Sequence, residues 1–419
     1  MRATSSTRLL AGFLALALLA ACAGGGGSVV PNSGGSTSQS AQRGVQYISH
    51  ALPGDSPTPT PSPSPAPGGL LGGLLGGVVG LLGALLSPVC TGLLHCNAVR
   101  NTAVNPNPNP HPASVLGYTP KQLWSAYNLH PSTSTITGPT IAIVDAYDDL
   151  TAESDLAIYR SQFGLPACTT ANGCFSKLNS SLQHGPYPAS NKNWSQEIAL
   201  DLAMASAACP SCKIVLVEAA SDDINLLASA VDAAATLQPA AISNSYGVNE
   251  SSSAVGLDAH YNHAGIAITA SVGDTAGVEF PASSSNVIAV GGTTLKPASN
   301  ARGWSETAIT SSGAGCSKYV ERPSWQTASC STRGVGDVSF VANAATGVAV
   351  YDTAAGGWIV LGGTSTGAPF IAGLIAAAGD YGNAPGASPV YARASALNPI
   401  SGTPAGDTSL GTPNGLAAF

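Results

Sequence analysis

The chain has 419 residues, of which only 9% are charged, and its net charge is −7. A chain without a basic stripe excludes nucleic acid as a partner class. Gly (49) and Pro (30) are abundant and charged side chains few, so Ser, Thr, Asn, Gln and Gly must form much of the surface. Such a surface changes little in charge between neutral and acid pH, which suits a secreted, acid-tolerant protein. The length accommodates one large α/β domain plus further segments.

The first element is an export signal. Arg2 and Arg8 form a positive start and Leu9 to Ala21 a short apolar run. Leu19-Ala20-Ala21-Cys22 resembles the lipobox of bacterial lipoproteins, and a Gly-rich stretch follows it. Residues 1–21 are therefore expected to be a lipoprotein signal peptide. Cys22 becomes the lipidated membrane anchor of an exported protein, periplasmic or on the cell surface. An ordinary signal peptide cut near Ala21 is the alternative. Residues 22–115 read as a low-complexity Pro/Gly/Ser-rich tether. Ser56 to Pro67 and Asn105 to Pro112 are stiff, Pro-rich spacers. Between them, residues 68–87 form an apolar Gly/Leu segment. It is long enough to span a membrane, but its glycine content points to self-association or membrane contact instead.

From residue 116 to 419 the texture is that of a single catalytic domain. Thr119 opens a helix. Strands are expected at 140–145, 213–218, 241–245, 266–271, 347–351 and 358–361. Helices are expected at 152–163, 194–208, 222–237 and 365–378. Strands rich in Ile and Val alternating with helices indicate βαβ units, hence an α/β fold with a mostly parallel central sheet and helices on both faces. Nine cysteines leave eight once Cys22 is set aside. They fall into the close pairs Cys90/Cys96, Cys168/Cys174, Cys209/Cys212 and Cys316/Cys330, as expected of disulfides in an oxidising compartment.

Three features carry chemistry. In Gly362-Gly363-Thr364-Ser365-Thr366-Gly367-Ala368-Pro369, a serine opens a long apolar helix, where backbone N–H groups can face a developing oxyanion. A plain helix N-cap is the competing role for Ser365. Glu197 and Asp201 stand four apart on an otherwise apolar helical run, which puts both carboxyls on one face. No Lys or Arg accompanies them within that run, against the alternative of a solvated acidic stripe. Asp274 closes Ser271-Val272-Gly273-Asp274 at a strand end, where α/β proteins place ligand-binding loops.

Together these features resemble the sedolisins, the serine-carboxyl peptidases with a subtilisin-like fold. The family pairs a Gly-Thr-Ser-x-x-x-Pro nucleophile turn with a Glu-x-x-x-Asp helix and an Asp after a Ser-x-Gly strand end. Thr119 to Leu129, Asn244 to Gly247 and Val290 to Thr293 also match. The resemblance runs from about Gly117 to the C-terminus. It implies an endopeptidase in which Ser365 is the nucleophile, Glu197 the general base and Asp201 its orienting partner. Asp274 would contribute to the oxyanion hole. Peptide or protein substrates would lie against Ser245, Tyr246 and Gly247. Activity is expected in mildly acid solution.

The sequence departs from the family in two places. Sedolisins carry a calcium site near the C-terminus, but here Pro399 stands where its first aspartate is expected and Asp407 is left alone, so no metal or other cofactor is expected. Residues 23–115 show no folded prosegment. Two rival readings are a histidine-based subtilisin-type peptidase and a catalytically inactive, surface-anchored binding lipoprotein on the same fold. A third makes the Gly/Leu segment the functional part of a stalk-presented interaction protein. None of the seven histidines lies in a triad context. Asp145, ending Ile-Val-Asp, is read as a turn residue rather than an extra carboxylate near the site.

Overall fold

A computed structural model describes residues 85–310, 312–327, 329–402 and 409–419. The expected signal peptide, Cys22, nearly all of the apolar segment and Asp407 lie outside the described residues. None of the described helices is long and apolar enough to cross a membrane.

Three short strands open the fold: β1 (Leu86–Pro88), β2 (Leu94–Cys96) and β3 (Val99–Asn101). Then come α1 (Pro120–Ala126), β4 (Thr140–Ala146), α2 (Ala152–Phe163), β5 (Phe175–Asn179), α3 (Lys192–Ala208), β6 (Lys213–Ala219), α4 (Ile224–Thr236), β7 (Ala241–Asn244) and β8 (Tyr246–Asn249). Next follow β9 (Ala267–Ser271), β10 (Glu279–Phe280), β11 (Ile288–Pro297), β12 (Trp304–Ala308), β13 (Gly315–Glu321), β14 (Thr332–Val335) and β15 (Val338–Val341). A hairpin of β16 (Val348–Asp352) and β17 (Gly357–Gly362) leads into α5 (Gly367–Ala378).

The central sheet has eight strands in the order β12-β11-β9-β7-β4-β6-β5, with β15 also on β11. Every pairing in it is parallel except that of β12 with β11. Strands buried on both faces are apolar along almost their whole length, as Thr-Ile-Ala-Ile-Val-Asp-Ala in β4 is. Helices cover the faces, so the expected α/β architecture holds. In α3, every side chain from Trp194 to Ala208 is buried. A helix apolar all round belongs in the interior, and α3 packs against both α5 and α2. Its start is fixed by Asn191, whose side chain accepts from the N–H groups of Asn193 (2.9 Å) and Trp194 (3.3 Å).

The tether boundary is corrected at its C-terminal end. Residues 86–101 are part of the domain: β1 pairs with β3, β3 with β17, and β2 with β8. Val89, Cys90, Leu94, Cys96, Asn97 and Ala98 are buried. All four expected disulfides are formed.

One buried ion pair secures the turn between β14 and β15. Both guanidinium Nη atoms of Arg333 donate to Asp337 at 2.6 Å, and neither side chain is exposed. Asp337 also accepts from the Ala289 N–H of β11 at 2.8 Å. Removing one partner leaves an uncompensated buried charge, a loss of about 3–5 kcal/mol. Asp337→Ala should therefore lower the melting temperature by about 5 °C or more. A calorimetric scan showing no shift would contradict this account of the turn.

Candidate active site

Ser365 lies in a single 3₁₀ turn (Thr364–Thr366) between β17 and α5. Gly363 makes the approach possible: its φ is +92°, and a Cβ there would collide with the Asn97 carbonyl oxygen, Asp274 Oδ2 (2.6 Å) and Ala98 Cα (2.8 Å). Ser365 is not an N-cap. Thr366 holds that position, and the Ser365 hydroxyl donates instead to the Ser245 carbonyl at 3.3 Å. The Ser365 N–H donates to the Asn97 carbonyl at 2.9 Å.

Helix α3 packs against the Ser365 turn and brings Glu197 to it. Glu197 and Asp201 have no solvent exposure, which rules out a solvated acidic stripe. Burial and the neighbouring Asp145 push the Glu197 carboxyl well above its ordinary range, while contact with Ser365 pulls it back. Asp201 is also held well above its range, by burial first and then by Asp145 and Glu197; contact with Ser245 acts the other way. Asp145 is thus no mere turn residue. It ends β4 fully buried, beside both carboxyls, and burial pushes it up to about 7. No N–H or O–H of the described residues donates in good geometry to the carboxyl oxygens of Asp145, Glu197 or Asp201. A group so placed is satisfied by a proton that it carries or shares with its neighbour.

Asp274 follows β9. Its Oδ1 accepts from the Thr364 N–H at 2.7 Å, while its buried Oδ2 has no donor. Burial outweighs the Thr364 N–H and raises Asp274 to about 7. A carboxyl protonated below that pH can donate from Oδ2 toward the point where the Asn97 carbonyl oxygen also lies.

Residues 94–101 belong to the site, and sequence reasoning missed them. Along Ser245–Gly247, β2 pairs antiparallel with β8, Cys96 opposite Tyr246 and His95 opposite Gly247. The Asn97 N–H donates to the Ser245 carbonyl at 3.1 Å. Tyr246 contributes backbone only, since its ring is buried and its hydroxyl donates to Asn244 Oδ1 at 2.8 Å. The Asn97 side-chain amide donates to Ser271 Oγ (2.9 Å) and Glu279 Oε2 (3.3 Å), and His95 Nε2 lies 3.2 Å from Glu279 Oε1. That contact raises the His95 pKa against the opposing effect of burial. The one sequence signal here was the cysteine pair Cys90/Cys96.

The described histidines do not furnish a base. His95 meets Glu279, His184 the Lys177 carbonyl, and His260 and His263 both meet Asp232. Among the described residues no histidine hydrogen-bonds Ser365.

Residues 180–410 match the subtilase family. Kumamolisin from Bacillus sp. (strain MN-32) is 31% identical over 303 residues, covering 63% of this chain and 52% of that protein. Sedolisin from Pseudomonas sp. (strain 101) is 40% identical over 115 residues, 24% of this chain and 19% of that one. The chain thus spans about half the length of the first of these relatives and less of the second. A solved structure of Pseudomonas sedolisin, a serine-carboxyl proteinase complexed with two molecules of pseudo-iodotyrostatin, shares the fold with a TM-score of 0.57 at 23% identity. The match covers 69% of this chain and 89% of that one. By sequence match and by fold, the chain belongs to the subtilase family, and its relatives there are sedolisins.

Proposed function

We propose that the protein is an exported serine endopeptidase that hydrolyses proteins or peptides in mildly acid solution by a Ser-Glu-Asp mechanism. The observation that carries this reading is Glu197, delivered by a buried helix to the Ser365 turn where no histidine stands. Ser365 Oγ attacks the substrate carbonyl and Glu197 takes its proton. Asp201, one helical turn away, holds the Glu197 carboxyl in place. The Ser365 N–H and a protonated Asp274 donate to the oxyanion. Glu197 then returns the proton to the leaving amine, and water releases the acyl group. The substrate backbone adds as a strand to Ser245–Gly247.

Asp274 can donate only while it is neutral, so activity is confined to the acid side of its value of about 7. Four disulfides favour an oxidising compartment, consistent with export and anchoring through Cys22. Calcium plays no part in this reading. Where the family places its ion, Asn398 and Thr412 exchange backbone hydrogen bonds of 2.8 and 3.0 Å. Residues 397–415 contain a single carboxylate, Asp407. A hard cation needs six or more oxygens with charge among them, so this segment does not fit the ion. The melting temperature should be indifferent to a calcium chelator, and a fall of several degrees would refute the point.

Glu197→Gln preserves shape and removes the proton acceptor. Turnover should fall by a factor of roughly 10² or more. Asp274→Ala should reduce turnover more than it raises KM, because an oxyanion donor acts mainly in the transition state. Casein digestion and peptide kinetics from pH 3 to 8 measure both. Full activity of Glu197→Gln would end the Ser-Glu-Asp reading and restore the histidine-based rival. Failure of the wild type to digest casein at any pH would favour the inactive binding lipoprotein.

Stability should follow pH with the opposite slope to that of most proteins. Asp145, Asp149 and Asp274 are raised from 3.8 to about 7 and Asp352 to about 6, in each case chiefly by burial. Raised carboxyls bind more protons folded than unfolded. Their contribution is complete below the unfolded value and is lost as pH rises through the folded one. The melting temperature should fall by on the order of 5–10 °C between pH 4 and pH 7.5. A maximum near neutral pH would contradict the burial argument.

A further inference from the structure

On the far side of Ser365 from β8, β17 receives an added strand, and β3 shows the register in which it does so. The Asn97 carbonyl accepts from the Ser365 N–H, so Ala98, Val99 and Arg100 are the first, second and third residues beyond the carbonyl in the site. Val99 lies opposite Gly362 and Arg100 opposite Leu361, antiparallel to β17. Successive side chains of a strand point to opposite faces. Arg100 turns toward α3, where its guanidinium donates to Gln196 Oε1 at 3.2 Å. Val99 turns the other way and lines a cavity of about 430 Å³.

That cavity is continuous with the reacting centre, because Asp274 and Thr364 also line it. Much of its wall is aliphatic: Ala308 at the end of β12, Ile309 after it, and Ala342 and Ala344 after β15. Backbone bonds hold this wall in place. The Ile309 N–H donates to the Gly292 carbonyl at 3.0 Å, and the Ala342 N–H to the Thr293 carbonyl at 2.8 Å. Two polar side chains of the lining are turned to the protein itself. The Asn343 amide donates to the Thr294 hydroxyl at 2.9 Å and the Ser312 hydroxyl to the Ile309 carbonyl at 3.2 Å. Among the described residues no Lys, Arg or His lines the cavity. A charged side chain entering it would lose its water without gaining a partner, whereas an apolar one gains by leaving water. The volume stays open with Val99 in place, so the wall accommodates a side chain larger than valine.

We propose that this cavity is the subsite for the second residue beyond the scissile bond, and that the protein selects substrates with a neutral aliphatic or aromatic side chain at that position. The proposal rests on the peptidase reading above and adds the substrate class to it. Ala308 and Ile309 are the residues that set the size of the subsite. Contact so far along the leaving half is made alike in the bound substrate and in the transition state, so it acts on KM more than on turnover. The seating of β3 on β17 competes with every peptide equally and cancels from the ratios between them.

The test first maps the bonds that the purified full-length chain cuts in casein in mild acid, by mass spectrometry. The acyl half of one such site is then fixed in a peptide series with Ala as the first residue beyond the bond and Gly, Ala, Val, Leu, Phe, Asp or Lys as the second. The Leu and Phe peptides should exceed the Gly, Asp and Lys peptides by about ten-fold or more in kcat/KM, chiefly through KM. Ala308→Phe, checked for a native melting transition, narrows the cavity and should level the series by slowing the Leu peptide while sparing the Gly one. Ile309→Ala widens the cavity and should move the optimum from Leu to Phe, and it decides the matter alone if Ala308→Phe does not fold. A flat wild-type series, a preference for Asp or Lys, or an unchanged order in both folded variants overturns the subsite and leaves the peptidase reading standing. Failure to cut casein at any pH sinks the peptidase reading and this proposal with it.

Discussion

Asp145, Glu197, Asp201 and Asp274 are buried together, and the charges that act on them are one another's, with His95 and Glu279 beside Asp274. An isolated carboxylate moved into a dry interior costs several kcal/mol. The site meets that cost by holding protons rather than by pairing with Lys or Arg. A cation beside Glu197 would keep it charged but lower its basicity; a hydrated one would leave it an ordinary weak base. A dry site without Lys or Arg instead raises a carboxyl's affinity for protons, which is what the base role proposed for Glu197 requires. The same dryness raises Asp274 to about 7.

The sheet explains how four acids from distant segments converge. Asp145 ends β4, Ser245 follows β7 and Asp274 follows β9, so all three come from the same edge of the parallel sheet, where its strands finish. Ligand-binding crevices of open α/β sheets form at that edge. Helix α3 is buried from Trp194 to Ala208 and carries Glu197 and Asp201 to the Ser365 turn. Small residues let the backbone segments close up: Gly363 admits the Asn97 carbonyl and Asp274 together, and Gly273, with φ of +105°, leaves room for the Glu279 carboxyl.

What was legible in the sequence was whatever a local pattern determines. Strands β4, β6, β7 and β9 and helices α2 to α5 were visible because burial on both faces or along a stripe leaves continuous or periodic apolar runs. The Glu197/Asp201 spacing and the Gly-Thr-Ser turn were visible because one helix or one turn suffices to define them. Strands β5 and β11 to β15 were not. Their sequences mix Gly, Ser, Thr and Lys, and their pairing partners lie far away in the chain. Asp145 showed its strand end but not its neighbours, because Glu197 and Asp201 come from α3, far along the chain. The segment 86–101 looked like tether because its stability is wholly non-local. Three-residue strands have no pattern of their own, and they exist only where β8 and β17 receive them.

That non-local character also decides what the segment does to the cleft. Any peptide added to β8 and β17 must be ordered on both sides of one bond, at an entropic cost per residue. The Cys90–Cys96 ring and the β1–β3 pairing have already restricted this segment. Being part of the same chain, it also presents itself at an effective concentration of the order of millimolar or above. A free peptide at micromolar concentration then competes at a disadvantage of about a thousand-fold, before its own ordering cost is counted. His95 adds a further hold that is complete in acid and lost as pH rises through its raised value, because only the imidazolium is attracted to Glu279. Mild acid is thus the condition that seats the segment most firmly.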